Sequence, residues 1–146
     1  MVQWIRHLCS TEVDAGSTPA EGADNLCPAP VLLLELMAKD GKILEVPAIV
    51  DSGADRTQVN FEYAEMLGVE LGPRSDSMGI GDGRVEGYLG VLTFKIRNTD
   101  MAMEVPATYL KTGNVVVLLG REAFFDAFRI IFDQANNSFE LIKKKA

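Results

Sequence analysis

The chain has 146 residues, 47% hydrophobic and 24% charged, the composition of one ordinary globular domain with its own core. Asp and Glu number 21 against 14 Lys and Arg, a formal net charge of -7. The only basic run, Lys143-Lys144-Lys145, closes the chain as a tail, which argues against nucleic acid as a partner.

No apolar stretch approaches bilayer-spanning length, and no signal-type apolar segment follows the first residues. The expectation is a soluble, cytoplasmic protein with no membrane partner. His7, Cys9 and Cys27 are one ligand short of a structural zinc site and match no common zinc spacing, so no metal is expected and free thiols fit better than a disulfide. Residues 10–30 are rich in Ser, Thr, Ala, Gly, Pro and acidic types, and residues 1–29 read as a flexible arm; a folded domain is expected over 30–142, with a basic tail at 143–146.

Within that domain, residues 31–37 form an apolar run of strand length, and Lys39-Asp40-Gly41-Lys42 favours a tight hairpin turn. Residues 43–50 return as a strand in which Pro47 implies an edge position or a bulge. After the polar loop Asp51-Ser52-Gly53-Ala54-Asp55, Asn60 is placed to cap a short helix over 61–67, and Gly68 to stop it. Residues 73–90 carry Gly79, Gly81, Gly83, Gly87 and Gly90 and read as a mobile hairpin or a pair of short strands. Strands are expected over 89–96 and 101–110, joined by the turn Arg97-Asn98-Thr99-Asp100, and a buried strand over 115–119. Residues 121–128 read as a helix with Phe124, Phe125 and Phe128 facing the core, and two further strands, 130–133 and 139–142, flank Asn136-Asn137.

A short internal echo is visible in this pattern. Ile49-Val50-Asp51-Ser52-Gly53 runs from apolar strand into a glycine turn, and Leu118-Leu119-Gly120 does so again without the acid. Asp-Ser/Thr-Gly alone arises by chance in about one chain in ten or twenty of this length, so the tripeptide by itself decides nothing. The two motifs together, in this order, resemble the retropepsin family, the dimeric aspartic proteases of retroviruses and their cellular and bacterial relatives. Ile49-Val50-Asp51-Ser52-Gly53-Ala54-Asp55 is similar to that family's catalytic loop, and Val117-Leu118-Leu119-Gly120-Arg121 to its second hallmark; the likeness covers roughly residues 30–142.

The resemblance implies a mainly β, retropepsin-like closed barrel with one or two short helices, active as a two-fold dimer. It implies an aspartic endopeptidase with no cofactor, in which two carboxylates share a proton and activate a water. One chain offers one such loop, since Asp14-Ala15-Gly16 lacks the hydroxyl residue, so the second Asp51 is expected from another copy across a two-fold axis. By the same resemblance Ser52 would hydrogen-bond the partner's loop, and Gly53, with Ala54 and Asp55, would meet an extended peptide. Asp55 and Arg121 would form a buried or partly buried ion pair, while Leu118, Leu119, Gly120 and Arg121 support the loop. Met78-Gly79-Ile80-Gly81-Asp82-Gly83 is similar to the family's flap, with Gly79, Ile80 and Gly81 over the substrate and Ile80 at the tip, although Asp82 stands where the family has a small residue. The contrasting expectation is a non-catalytic binding or dimerisation module of the same fold. A unit cut from a larger polyprotein is also compatible with the soft boundary near residue 30 and the basic tail. For the dimer contact, residues 139–142 are the candidate.

Overall fold

The structure is a computed structural model that describes residues 2–3, 5–8, 26–78, 83–111 and 116–144, with side chains from residue 29 onward. His7, Cys9 and Cys27 fall outside the described side chains, and Gly79, Ile80, Gly81 and Asp82 outside the described residues.

Three short strands come first: β1 (Val2–Gln3), β2 (Ile5–Leu8) and β3 (Leu26–Ala29). β2 and β3 pair antiparallel, Ile5 opposite Ala29, so part of the stretch read as an arm is built into strands next to the domain. β4 (Val31–Met37) and β5 (Ile43–Val50) then form an antiparallel hairpin around the Asp40-Gly41 turn. Period-two alternation sends Leu32, Leu34 and Leu36 of one strand and Val46, Ala48 and Val50 of the other into the core. Pro47 lies where β5 has only β4 beside it, because the next neighbour joins at Ile49 and Val50; it is an edge position, where a missing N–H does least harm.

β6 (Thr57–Asn60) has no counterpart in the sequence expectations. Helix α1 (Glu62–Leu67) begins one residue later than expected, yet the Asn60 Oδ1 still accepts the Glu62 N–H at 3.0 Å, and Gly68 ends the helix at φ 68°. β7 (Ser77–Met78) and β8 (Arg84–Val85) are the pair of short strands in the glycine-rich stretch. β9 (Gly87–Ile96) and β10 (Ala102–Leu110) form the longest hairpin, with the turn residue Asn98 at φ 62°. β11 (Val117–Leu119) follows, and β12 (Phe128–Asp133) and β13 (Ser138–Lys143) close the fold as a hairpin.

Six strands close into a barrel in the order β10-β6-β11-β5-β4-β9, sealed by β9 against β10. The mainly β class and the closed barrel expected from the sequence are both present. Leu34, Leu36, Val59, Leu92, Phe94 and Tyr109 fill the interior. A second sheet, β1-β13-β12, packs beside it; Phe124, 6.4 Å from Phe94 and 5.2 Å from Phe128 between ring centroids, links the two. Among the described residues no helix is long and apolar enough to cross a membrane.

The helix expected over 121–128 is corrected. Arg121–Phe125 is a single distorted turn broken at Glu122 (φ -62°, ψ 123°) and Ala123 (φ 67°, ψ -49°), and Phe128 opens β12. Phe124 and Phe128 are nonetheless buried, so the aromatic stripe is core; its i, i+4 spacing is met by a turn followed by a strand.

Candidate active site

The parallel pairing of β5 with β11 sets Leu118 opposite Ile49 and Leu119 opposite Val50, so the two sequence motifs leave the barrel side by side. The Asp51 N–H donates to the Leu119 carbonyl at 3.0 Å, which anchors the acid to the end of β11. Beyond it the chain turns tightly: the Gly53 N–H donates to Asp51 Oδ1 at 2.8 Å and the Ala54 N–H to the Asp51 carbonyl at 3.3 Å. Asp51 is half-buried, Ser52 and Gly53 are exposed, and Ala54 is buried.

Gly120 is where the second motif passes closest to the loop. A Cβ there would stand 2.5 Å from the Arg56 carbonyl carbon, 2.6 Å from its oxygen and 2.9 Å from the Ala54 oxygen, all backbone atoms that cannot step aside. Its N–H donates to the Thr57 hydroxyl at 3.3 Å, and Thr57 is fully buried. Beyond Gly120, the Arg121 N–H donates to the Ala54 carbonyl at 2.9 Å and the Glu122 N–H to the Asp55 carbonyl at 2.8 Å.

Side chains repeat this cross-linking. The Arg121 guanidinium donates to Asp55 Oδ1, and one residue on, the Arg56 Nε donates to Glu122 Oε2 at 2.9 Å. The first pair is not buried in the single chain: its side chains are 58% and 87% exposed. Leu119 and Gly120 are buried and Leu118 half-buried behind the loop.

A cleft of about 500 Å³ opens beside the loop. Gly53, Ala54 and Asp55 line it from the loop, and Ser75, Ser77 and Met78 from the approach to the β7–β8 hairpin. Arg56, Gln58, Thr108 and Glu122 complete its described lining. Sequence reasoning did not single these residues out. One signal was available: Arg56 and Glu122 stand 66 residues apart, as do Asp55 and Arg121, so each pair follows the same offset between motifs. Thr57, Ser75 and Thr108 carried no such mark.

The base of the β7–β8 hairpin is held by both backbone and charge. The Ser75 N–H donates to the Gly87 carbonyl at 2.8 Å and the Leu89 N–H to the Pro73 carbonyl at 3.0 Å. Hydrogen bonding from Arg74 holds the Asp76 carboxyl below its ordinary pKa, and hydrogen bonds from the Tyr88 hydroxyl and then Lys111 do the same for Glu86. The Lys111 ammonium sits 4.8 Å from the Phe61 ring centroid and 5.7 Å from that of Tyr88. The hairpin is therefore anchored at its foot.

No family model matches the chain, and no curated protein does. Similar solved structures include EIAV protease in complex with an inhibitor, at 22% identity over 70% of this chain and 91% of that one, TM-score 0.47. Another is the retroviral protease-like domain of Ddi1 from Leishmania major, at 17% identity over 77% and 87%, TM-score 0.49. A third is a retropepsin-like aspartic protease from Rickettsia conorii, at 16% identity over 69% and 83%, TM-score 0.49. The chain resembles these three proteins at 16–22% identity, and its own architecture is the mainly β closed barrel described above.

Proposed function

We propose that this chain is one subunit of an aspartic endopeptidase, and that two copies of Asp51 meet across a two-fold axis to hydrolyse peptide bonds. The observation that carries this reading is the placement of Asp51: a half-buried acid on a tight turn, tied to β11 through Leu119, on a loop whose next residues Gly53, Ala54 and Asp55 line an open cleft.

The chemistry follows from two carboxyl groups held close. They cannot both ionise comfortably, so they retain one proton between them. The ionised member draws a proton from a water lying between them as that water attacks the amide carbon; the protonated member donates to the carbonyl oxygen. The tetrahedral intermediate collapses with proton transfer to the amine, which leaves.

Ser52, exposed in the single chain, would hydrogen-bond the partner's loop and hold the carboxyls in position. Gly53, Ala54 and Asp55 would meet the substrate backbone, with an extended peptide adding as a strand. Gly79, Ile80 and Gly81 would close over it as a flap.

Asp51→Asn keeps the shape and removes the ionisable acid. Peptide hydrolysis, assayed on a mixed peptide library from acidic to neutral pH, is expected to fall to background while the circular dichroism spectrum and melting temperature stay close to wild type. Full activity in that variant would remove Asp51 from the mechanism; peptide binding without any hydrolysis in the wild type would favour the non-catalytic module.

A further inference from the structure

Resting on the protease reading above, we infer that the Arg56–Glu122 pair makes the cleft beside the Asp51 loop selective for an uncharged, hydrogen-bonding substrate side chain, an amide or a hydroxyl. The cleft holds about 500 Å³, room enough for any natural side chain, so size alone does not select. Its chemistry does. Asp55 and Glu122 bring carboxylate acceptors, Arg56 a guanidinium, Gln58 an amide, and Ser75 and Ser77 hydroxyls that both donate and accept.

The ion pair is half-covered: the Arg56 and Glu122 side chains are 36% and 46% exposed. A substrate side chain entering the cleft completes their removal from water. A leucine or phenylalanine would strip water from both members of the pair and from Gln58 without replacing a hydrogen bond, which costs binding. A lysine or arginine would be drawn by Asp55 and Glu122 but set against Arg56, and an aspartate or glutamate would meet the reverse. An amide offers a carbonyl to the guanidinium side and an N–H to the carboxylate side, so it satisfies both without adding charge.

The pair is also fixed in place. Arg56 and Glu122 are joined at 2.9 Å, and the Glu122 N–H is bonded at 2.8 Å to the Asp55 carbonyl, so the polar wall moves with the catalytic loop and not independently of it. In a two-fold dimer the cleft occurs twice, related by the axis through the reacting acids. The preference is therefore expected at two positions placed symmetrically about the cleaved bond.

The test is a cleavage profile of a peptide library by the full-length wild-type protein, read position by position. Gln, Asn, Ser or Thr should exceed Leu or Phe by about tenfold at one position on each side. The double variant Arg56→Leu/Glu122→Leu should lose that preference and turn toward Leu and Ile at the same positions, leaving other positions unchanged. If that variant fails to fold, Gln58→Leu should weaken the preference there. An aliphatic or aromatic preference in wild type, or an unaltered profile in the variants, overturns the inference while leaving the protease reading intact. If wild type cuts nothing, the protease reading fails. Fluorescence anisotropy with matched Gln- and Leu-containing peptides then decides the cleft: tighter binding of the Gln peptide supports the inference, and equal or weaker binding overturns it.

Discussion

Gly120 shows how a single position can decide whether the Asp51 loop and its neighbour pack. Its φ of -94° is ordinary for any residue, so the requirement is space: the carbonyls of Arg56 and Ala54 fill the volume a methyl group would need. Gly120→Ala should therefore push the two motifs apart, costing about 1–3 kcal/mol in urea unfolding, with a loss of hydrolysis larger than the stability change alone explains. Unchanged stability would mean that the two backbones are further apart than described. Tyr109 supplies a second test at this scale. It is fully buried in the barrel, its hydroxyl donating to the Val91 carbonyl at 2.6 Å, and burial raises its pKa because the phenolate would be stranded away from water. A raised folded value means that the fold favours the protonated form. That stabilisation is complete below the unfolded tyrosine value of about 10 and is lost progressively as pH climbs above it. Tyr109→Phe should cost about 0.5–1.5 kcal/mol near neutrality, and its stability should decline less steeply than wild type above pH ~10 in chemical denaturation. Parallel alkaline profiles for the two proteins would contradict this.

Among the elements, those with a complete local signal were legible. β4 and β5 fall where an apolar run, an Asp-Gly turn and a second run predict them, residue for residue, because every cue lies within the twenty residues concerned. β6 was not legible: Thr57-Gln58-Val59-Asn60 is short and mostly polar, and becomes a strand through β10 on one side and β11 on the other, partners distant in sequence. The same non-local pairing conceals the cleft, since Gln58 and Thr108 come together only once β6 and β10 are parallel neighbours. For the site, the acid and its loop could be read from the motif, whereas its polar surroundings could not. The failed helix over 121–128 is informative in another way. Phe124 and Phe128 satisfy helical spacing, but the chain leaves helical φ/ψ at Glu122 and Ala123, next to the bonds that tie the Arg121 and Glu122 N–H groups to the Ala54 and Asp55 carbonyls. Ala123 is left at φ 67°, ψ -49°, a conformation that crowds its Cβ. Ala123→Gly should relieve this, and after the extra flexibility glycine gives the unfolded chain, a net gain of up to about 1 kcal/mol is expected in thermal or urea unfolding. A clear loss would indicate that the Ala123 methyl contributes more packing than its partly buried position implies.

The whole molecule presents one Asp51 loop and a second sheet carrying exposed apolar side chains: Ile131 at 40%, Phe132 at 41% and Ile142 at 39%. Ile142 belongs to the stretch 139–142 proposed as a dimer contact, whereas Phe139 faces the core and is unavailable for one. If the proposed site needs an acid from each of two copies, activity must depend on pairing, and mixing tests this without knowledge of the interface. Equal amounts of wild type and Asp51→Asn, allowed to exchange subunits, would leave about a quarter of dimers with two acids. Activity per tube should then fall to about half of that given by the same wild type mixed with an unrelated protein, and fall further as the variant is added in excess. A subunit acting alone would show no such dominance, since each wild-type chain would keep its full rate whatever surrounds it. Dilution checks the same point independently: below the dissociation constant, specific activity should drop as subunits separate, and recover on concentration.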